Sequence, residues 1–186
     1  MFIQTEPTPN PATLKFIPGK TVLGDGTVDF RDKSEATTSP LAQRLFGVDG
    51  VTGVFLGSDF ISVTKSEGDE WQHIKPAILG AIMEHYISGA PTIAAGETPG
   101  AEAAGEYDVK DEDTVKTIKE LLDTRVRPAV ANDGGDIVFQ GFKDGVVFLH
   151  MRGACSGCPS STATLRHGIE SLLKHFCPDV QEVRPV

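Results

Sequence analysis

The sequence predicts an α+β protein built as two small α/β-layered domains joined by a flexible linker. Short alternating apolar runs of strand length are interleaved, in both halves of the chain, with apolar stripes at helical spacing. Residues 88–106, SGAPTIAAGETPGAEAAGE, hold one branched aliphatic residue, Ile93, too little apolar surface to offset their own ordering entropy. The whole chain, 186 residues at 39% hydrophobic, is long enough for one ordinary core or two small ones. The expected division is residues 1–87, a linker over 88–106 and a second domain over 107–186.

In the first domain FIQTE and LKFIPG alternate as short strands. Ser39-Pro40 supplies an N-cap and a first-turn proline for a helix through Phe46. VTGVFLG and FISVTK are rich in Val, Ile and Phe and flank Gly57, Ser58 and Asp59, which predicts a hairpin. A helix from Trp71 to Ile87 closes the domain with Ile74, Ile78, Ile82 and Tyr86 on one face, and Trp71 and Tyr86 are expected in the core. Pro76 falls early in that helix, where it is tolerable.

The second domain reads α-β-β-α-β. Asp111, Glu112 and Asp113 precede Val115, Ile118, Leu121 and Leu122, an acidic start followed by an apolar stripe, and Arg127-Pro128 should end that helix. DIVFQGF and VVFLHM flank Lys143-Asp144-Gly145, whose Asp-Gly is a strong hairpin signal. Gly134-Gly135 turn the chain into the hairpin. A helix then carries Thr162, Leu165, Ile169, Leu172 and Phe176 at spacings of three and four, Pro178 ends it, and VQEVRPV forms a last strand.

Composition removes several function classes. Net charge is −9, and no segment is basic: residues 1–87 carry 7 basic against 11 acidic side chains, and 107–186 carry 10 against 12. Nucleic acid and anionic membranes require clustered Lys and Arg, so neither is an expected partner. No stretch approaches the roughly 20 apolar residues that span a bilayer. The opening residues MFIQTEPTPN show no secretory or transit pattern, and the expected location is cytoplasmic. Three cysteines are too few for a disulfide scaffold, and nucleophile-elbow, phosphate-loop and HExxH motifs are missing.

Chemistry is therefore expected at Gly153-Ala154-Cys155-Ser156-Gly157-Cys158-Pro159-Ser160-Ser161. Two thiols two residues apart can share one metal centre, beside glycines that let backbone approach it. Cys158 precedes a helix whose N-terminus favours thiolates, and Ser160 or Ser161 can cap that helix. A metal centre wants about four protein ligands. At about 1.5 Å per helical residue, Cys177 lies on the order of 25 Å beyond Cys158 and His167 about 13 Å, so neither reaches the same metal. His175 fails alike, and His150 would supply only a third ligand. A two-fold dimer in which each copy gives Cys155 and Cys158 completes a four-cysteine site, and a centre held at such a junction suits a carrier that releases it. A thiol–disulfide oxidoreductase, a zinc-stapled module and a structural cysteine pair are the alternatives. Asn132 to Asp136 lacks the twelve-residue calcium loop and reads as a turn. Cys177 reads as a buried small hydrophobe.

Arg127-Pro128, Asp133-Gly134-Gly135-Asp136, GACSGCPSS, TLRHGIE and PDVQEV together resemble the Nfu-type, NifU-like iron–sulfur cluster carriers over nearly all of 110–186. FIQTEPTPNPATLKFIPG, SPLAQRLF and GVFLGSDFISVTK resemble the family's amino-terminal domain. The resemblance implies a [4Fe-4S] cluster bound by Cys155 and Cys158 and shared between two protomers of a homodimer. It also implies an upstream assembly scaffold as donor, apo iron–sulfur proteins as acceptors, and no enzymatic reaction of the chain's own. The amino-terminal domain has no cysteine, and its expected part is docking partners or tuning transfer.

Overall fold

Local chemistry sets the first elements. Ser39 is in extended conformation, its Oγ accepts from the Ala42 N–H at 3.1 Å, and Pro40 follows it, so α1 (Pro40–Phe46) starts where the sequence expects. The computed structural model describes residues 1–95, 105–156 and 159–186, with the side chains of 159–161 also outside the description. The chain divides into two units, Met1–Ala101 and Glu102–Val186. It is an α+β protein.

The first unit has strands β1 (Gln4–Pro7), β2 (Thr13–Ile17), β3 (Val28–Phe30), β4 (Val51–Leu56) and β5 (Ile61–Lys65), followed by α2 (Trp71–Ser88). They form one antiparallel sheet in the order β1-β2-β5-β4-β3. The β4–β5 hairpin closes with the Gly57 N–H donating to the Phe60 carbonyl at 2.9 Å. Leu41 and Leu45 of α1 and Ile74, Ile78 and Ile82 of α2 pack with Phe16, Val54, Leu56, Ile61 and Val63 of the sheet. Each such side chain, once fully buried, contributes about 2 kcal/mol.

α2 departs from its expected face in one respect. His85 is buried where Tyr86 was expected, and Tyr86 is half-buried at the edge of the core. The phenol oxygen decides this, because it needs a partner: the Tyr86 hydroxyl donates to the Thr21 carbonyl at 3.2 Å. Trp71 behaves alike, half-buried with its indole N–H donating to Pro11 O at 3.1 Å. Gly89, at φ 69°, ends the helix. Within the segment 88–106, Ser39 Oγ donates to Thr92 O at 2.6 Å, Ala94 N–H donates to Thr38 O at 2.7 Å, and Ile93 packs on the first core. Residues 96–104 of that segment lie outside the described residues.

The second unit comprises β6 (Glu106–Tyr107), α3 (Glu112–Leu121), α4 (Arg127–Asn132), β7 (Gly135–Lys143), β8 (Val146–Gly153), α5 (Pro159–Phe176) and β9 (Glu182–Pro185). The expected α-β-β-α-β order is present, with the two-residue β6 added ahead of it. The sheet runs β6-β7-β8-β9, with the β7–β8 hairpin antiparallel and both outer strands parallel to their neighbours. The helix does not end at Arg127-Pro128: one wide π turn, Leu122–Val126, joins α3 to α4, which continues to Asn132. Pro128 lacks an N–H and would crowd the carbonyl four residues earlier in a regular helix, and a widened turn relieves both problems.

Asp144 at φ 52° and Gly145 at φ 81° form the two-residue left-handed turn that the hairpin signal predicts, with Lys143 paired to Val146. Gln140 is an extra residue on β7, so the pairing slips by one between Phe139 and Gly141. On α5, Ile169 and Leu173 are buried and Leu165 and Leu172 half-buried. Phe176, expected inward, is 45% exposed under the Arg125 guanidinium, 5.0 Å from its ring, while Cys177 takes the buried position. Among the described residues no helix is long and apolar enough to cross a membrane.

Candidate functional site

The turn Asn132 to Gly135 and the end of β8 build the site. Gly134, at φ 79°, takes a left-handed conformation that side chains disfavour, and its carbonyl accepts from the Ala154 N–H at 3.2 Å. Gly135 pairs with Gly153 across the ladder. A Cβ on Gly135 would lie 2.6 Å from Cys155 Sγ and 2.7 Å from the Arg152 carbonyl oxygen, so the thiol occupies the space that glycine leaves free. Cys155 is 6% exposed and belongs to the second unit's core. Its carbonyl accepts from Thr162 Oγ1 at 3.1 Å, and Ser156 Oγ donates to the Gly153 carbonyl at 2.9 Å.

Beside the cysteine lies a buried ion pair. Asp136 is 3% exposed, and its two carboxylate oxygens accept from Arg127 Nε at 2.9 Å and a terminal guanidinium nitrogen at 3.0 Å. The other terminal nitrogen of Arg127 donates to Asp123 at 3.1 Å. A two-pronged arginine–carboxylate bond fixes direction as well as distance, and here it ties α4 to the first residues of β7. In the sequence Arg127 marks an expected helix end and Asp136 the close of an expected turn, and neither reading pairs them. A spacing of nine between a helix and a strand carries no pairing signal.

Burial first, then the charges of Asp133 and Asp136, pushes the Cys155 thiol up to about 12. The thiolate-favouring helix start is an expectation for Cys158, whereas Cys155 lies in the second unit's core. Cys158 lies outside the described residues. Ser160 and Ser161 fall within the first turn of α5, and their side chains lie outside the described residues too. Cys177 is 5% exposed at the end of α5, where its N–H donates to the Leu173 carbonyl at 2.7 Å, and burial with Asp179 raises its thiol.

The histidines are not gathered. His150 Nδ1 is 3.1 Å from the Val186 carbonyl, and His167 and His175 are exposed. Among the described residues no group of three or more His, Cys, Asp or Glu could hold a metal. A cavity of about 550 Å³, lined in part by Tyr107, Phe142, Asp144 and Phe148, opens at the other end of the hairpin from Cys155.

Comparison with known proteins follows the same division. Residues 3–89 match the model of the scaffold protein Nfu/NifU N-terminal domain, and residues 118–184 match that of the NifU-like domain. The mitochondrial NFU1 iron-sulfur cluster scaffold homolog of Drosophila sechellia is 51% identical over 187 residues, covering all of this chain and 65% of the fly protein. That of Homo sapiens is 49% identical over 187 residues, covering all of this chain and 72% of the human protein. The chain thus spans about two-thirds of the length of the curated relatives it matches. A solution structure of a NifU-like protein from Saccharomyces cerevisiae aligns at TM-score 0.46 and 29% identity, over 52% of this chain and 87% of that one.

The relatives' names overturn the cytoplasmic expectation, since these proteins are named mitochondrial. That expectation rested on a missing amino-terminal pattern, and in a chain spanning 65% of a relative a missing pattern carries no information on location. With both domain models matched and 49% identity to the human protein across the whole of this chain, the chain belongs to the Nfu/NifU family of iron–sulfur cluster scaffold proteins.

Proposed function

We propose that this protein accepts an iron–sulfur cluster as cargo, holds it between two copies of itself through Cys155 and Cys158 of each, and passes it to apo-proteins. The observation that carries the reading is the placement of Cys155 at the end of the β7–β8 hairpin, on Gly135, inside the segment that matches the NifU-like domain. Thiolates suit iron, and two cysteines per chain leave the ligand set half complete until a second chain supplies the rest. Four cysteines around a [4Fe-4S] cluster is the proposed complement. Opening the two-fold junction then frees the cluster without breaking a fold, which is what a carrier requires.

The chain's own residues have separate tasks in this scheme. Cys155 and Cys158 bind iron, and Gly134 and Gly135 let the loop lie close to the sheet. The Arg127–Asp136 pair holds the turn on which the loop rests. The first unit, which has no cysteine, docks donors and acceptors or tunes transfer, and an upstream assembly scaffold supplies the cluster. Residues 88–106 join the cysteine-free part, 1–87, to the cluster-binding part, 107–186. The relatives are named mitochondrial, and mitochondria are the compartment this reading assigns to the activity. No reaction of its own is assigned to the protein. The rival reading, a thiol–disulfide oxidoreductase, uses the same two cysteines and predicts a colourless protein that reduces disulfides.

Anaerobic reconstitution with iron and sulfide, followed by native mass spectrometry with iron and sulfide analysis, tests the proposal. One [4Fe-4S] per two chains is expected, absent from Cys155→Ala and Cys158→Ala and present in Cys177→Ala. A colourless monomer, or one bound zinc per chain, would replace the carrier by a redox or structural reading.

A further inference from the structure

Cys155 is a proposed iron ligand, yet its sulfur points into the protein. Sγ lies where a Gly135 side chain would be, within the core that includes Ile137, Met151 and Ile169. The flanking backbone is pinned on both sides: Ala154 N–H to the Gly134 carbonyl at 3.2 Å, and the Cys155 carbonyl to Thr162 Oγ1 of α5 at 3.1 Å. An iron shared with a second copy must approach from outside the unit. A metal–thiolate bond is only about 2.3 Å long, so a sulfur that is part of a 6% exposed residue in this pose cannot make it.

From this geometry we infer that Gly135 and Thr162 form a latch that stores the Cys155 sulfur inward, and that cluster uptake requires this latch to open locally while the rest of the unit stays folded. The inference rests on the carrier reading for its purpose, but the latch itself is testable without any cluster. Gly135 supplies the recess, since any larger residue would occupy it. Thr162 supplies the catch, since its hydroxyl tethers the Cys155 carbonyl to the first turns of α5. Both act through Cys155 and are positioning residues. The thiol gives up its proton to solvent as it turns out and binds iron, and folding back returns it to a dry recess where oxidants do not reach it.

Cys177 is an internal reference for the test. It is buried to the same degree, 5% against 6%, but sits in the helix end and not in the loop. The full chain, stripped of metal with a chelator and kept reduced, would be treated with N-ethylmaleimide and each cysteine followed by peptide mass spectrometry. Cys155 is expected to label at least about tenfold slower than in the denatured chain, yet at least about tenfold faster than Cys177, because its opening is local. Low denaturant should accelerate Cys177 and leave Cys155 unchanged. Thr162→Val should speed Cys155 several-fold without moving Cys177, and should speed cluster uptake on reconstitution. Gly135→Ala should expel the sulfur and speed labelling further. If Gly135→Ala also accelerates Cys177, the unit itself has loosened and Thr162→Val decides.

Equal rates for the two cysteines, a Cys155 rate matching the denatured chain, or no response to Thr162→Val would each overturn the latch. The two readings fail separately. Local opening of Cys155 with no cluster taken up would sink the carrier and leave the latch. Normal cluster uptake at identical rates in wild type and Thr162→Val would do the reverse.

Discussion

The two units bury polar side chains to different ends. In the first, Asn10, Thr13, Lys15, Ser39, Ser62 and His85 are all buried, and several visibly join elements. Asn10 Oδ1 accepts from the Ala12 N–H at 3.0 Å to shape a turn, Thr13 and Thr64 hydroxyls meet at 2.8 Å across β2 and β5, and Ser39 caps α1. In the second, Asp136 is the buried polar side chain among the described residues, and it lies next to the cysteine loop. Polar burial is dispersed where the unit has only to hold its shape, and concentrated where a loop must be aimed.

The largest effect that would break this contrast is at Arg127. Arg127→Ala leaves the Asp136 carboxylate buried without its partner and should cost about 3 kcal/mol, read as an earlier denaturant midpoint for the second unit. Arg127→Lys keeps the charge but not the fork and should fall between. A loss below about 1 kcal/mol would mean that the pair only decorates a turn held by other contacts.

In the first unit, Ser39→Ala removes both the cap and the bond to the Thr92 carbonyl, and should cost about 1–2 kcal/mol. The second unit's hydrogen exchange should not change. Spread of the loss into the second unit would contradict the view that each unit keeps its own polar network.

The smallest effect is a pH dependence of the first unit. Burial first, then the Arg44 charge, lowers His85 from its ordinary value of 6.5, so the fold holds the neutral ring while the unfolded chain takes up a proton. The two states bind protons equally above that value. Stability should therefore begin to fall as the pH drops through about 6.5, and continue falling until the folded state also protonates. His85→Gln should flatten that part of the profile. A wild-type profile already flat there would show that the ring finds a partner on protonation.

Much of this was legible in residue order. Ser39-Pro40, Asp144-Gly145 and the alternation in VTGVFLG and FISVTK act through neighbours in sequence, so local reasoning finds them. β3 and β6 escape because three and two residues cannot show a period, and both exist through pairing with a longer strand. The π turn escapes because Pro128 reads as a stop until tertiary packing makes continuation the better outcome. Phe176 ends outside because a stripe written at spacings of three and four does not say which of two adjacent residues turns inward, and its neighbour Cys177 is buried as its small apolar side chain suggests. Cys155 is found at once from its motif. Its inward pose depends on Gly135, twenty positions earlier, and on Thr162, neither of which the motif mentions.

The β7–β8 ladder is also a ruler. Counted from the Asp144-Gly145 turn, the extra residue Gln140 brings Gly135 opposite Gly153. Were Gln140 absorbed as an ordinary rung, Gly135 would face Ala154, and from Phe139 to Gly135 the core and solvent sides would exchange. The recess under Cys155 is therefore specified by chain length measured from the far end of the hairpin. A substitution on a rung alters one contact, whereas one codon gained or lost in β8 would move the cysteine loop off its seat with every side-chain identity at the loop preserved.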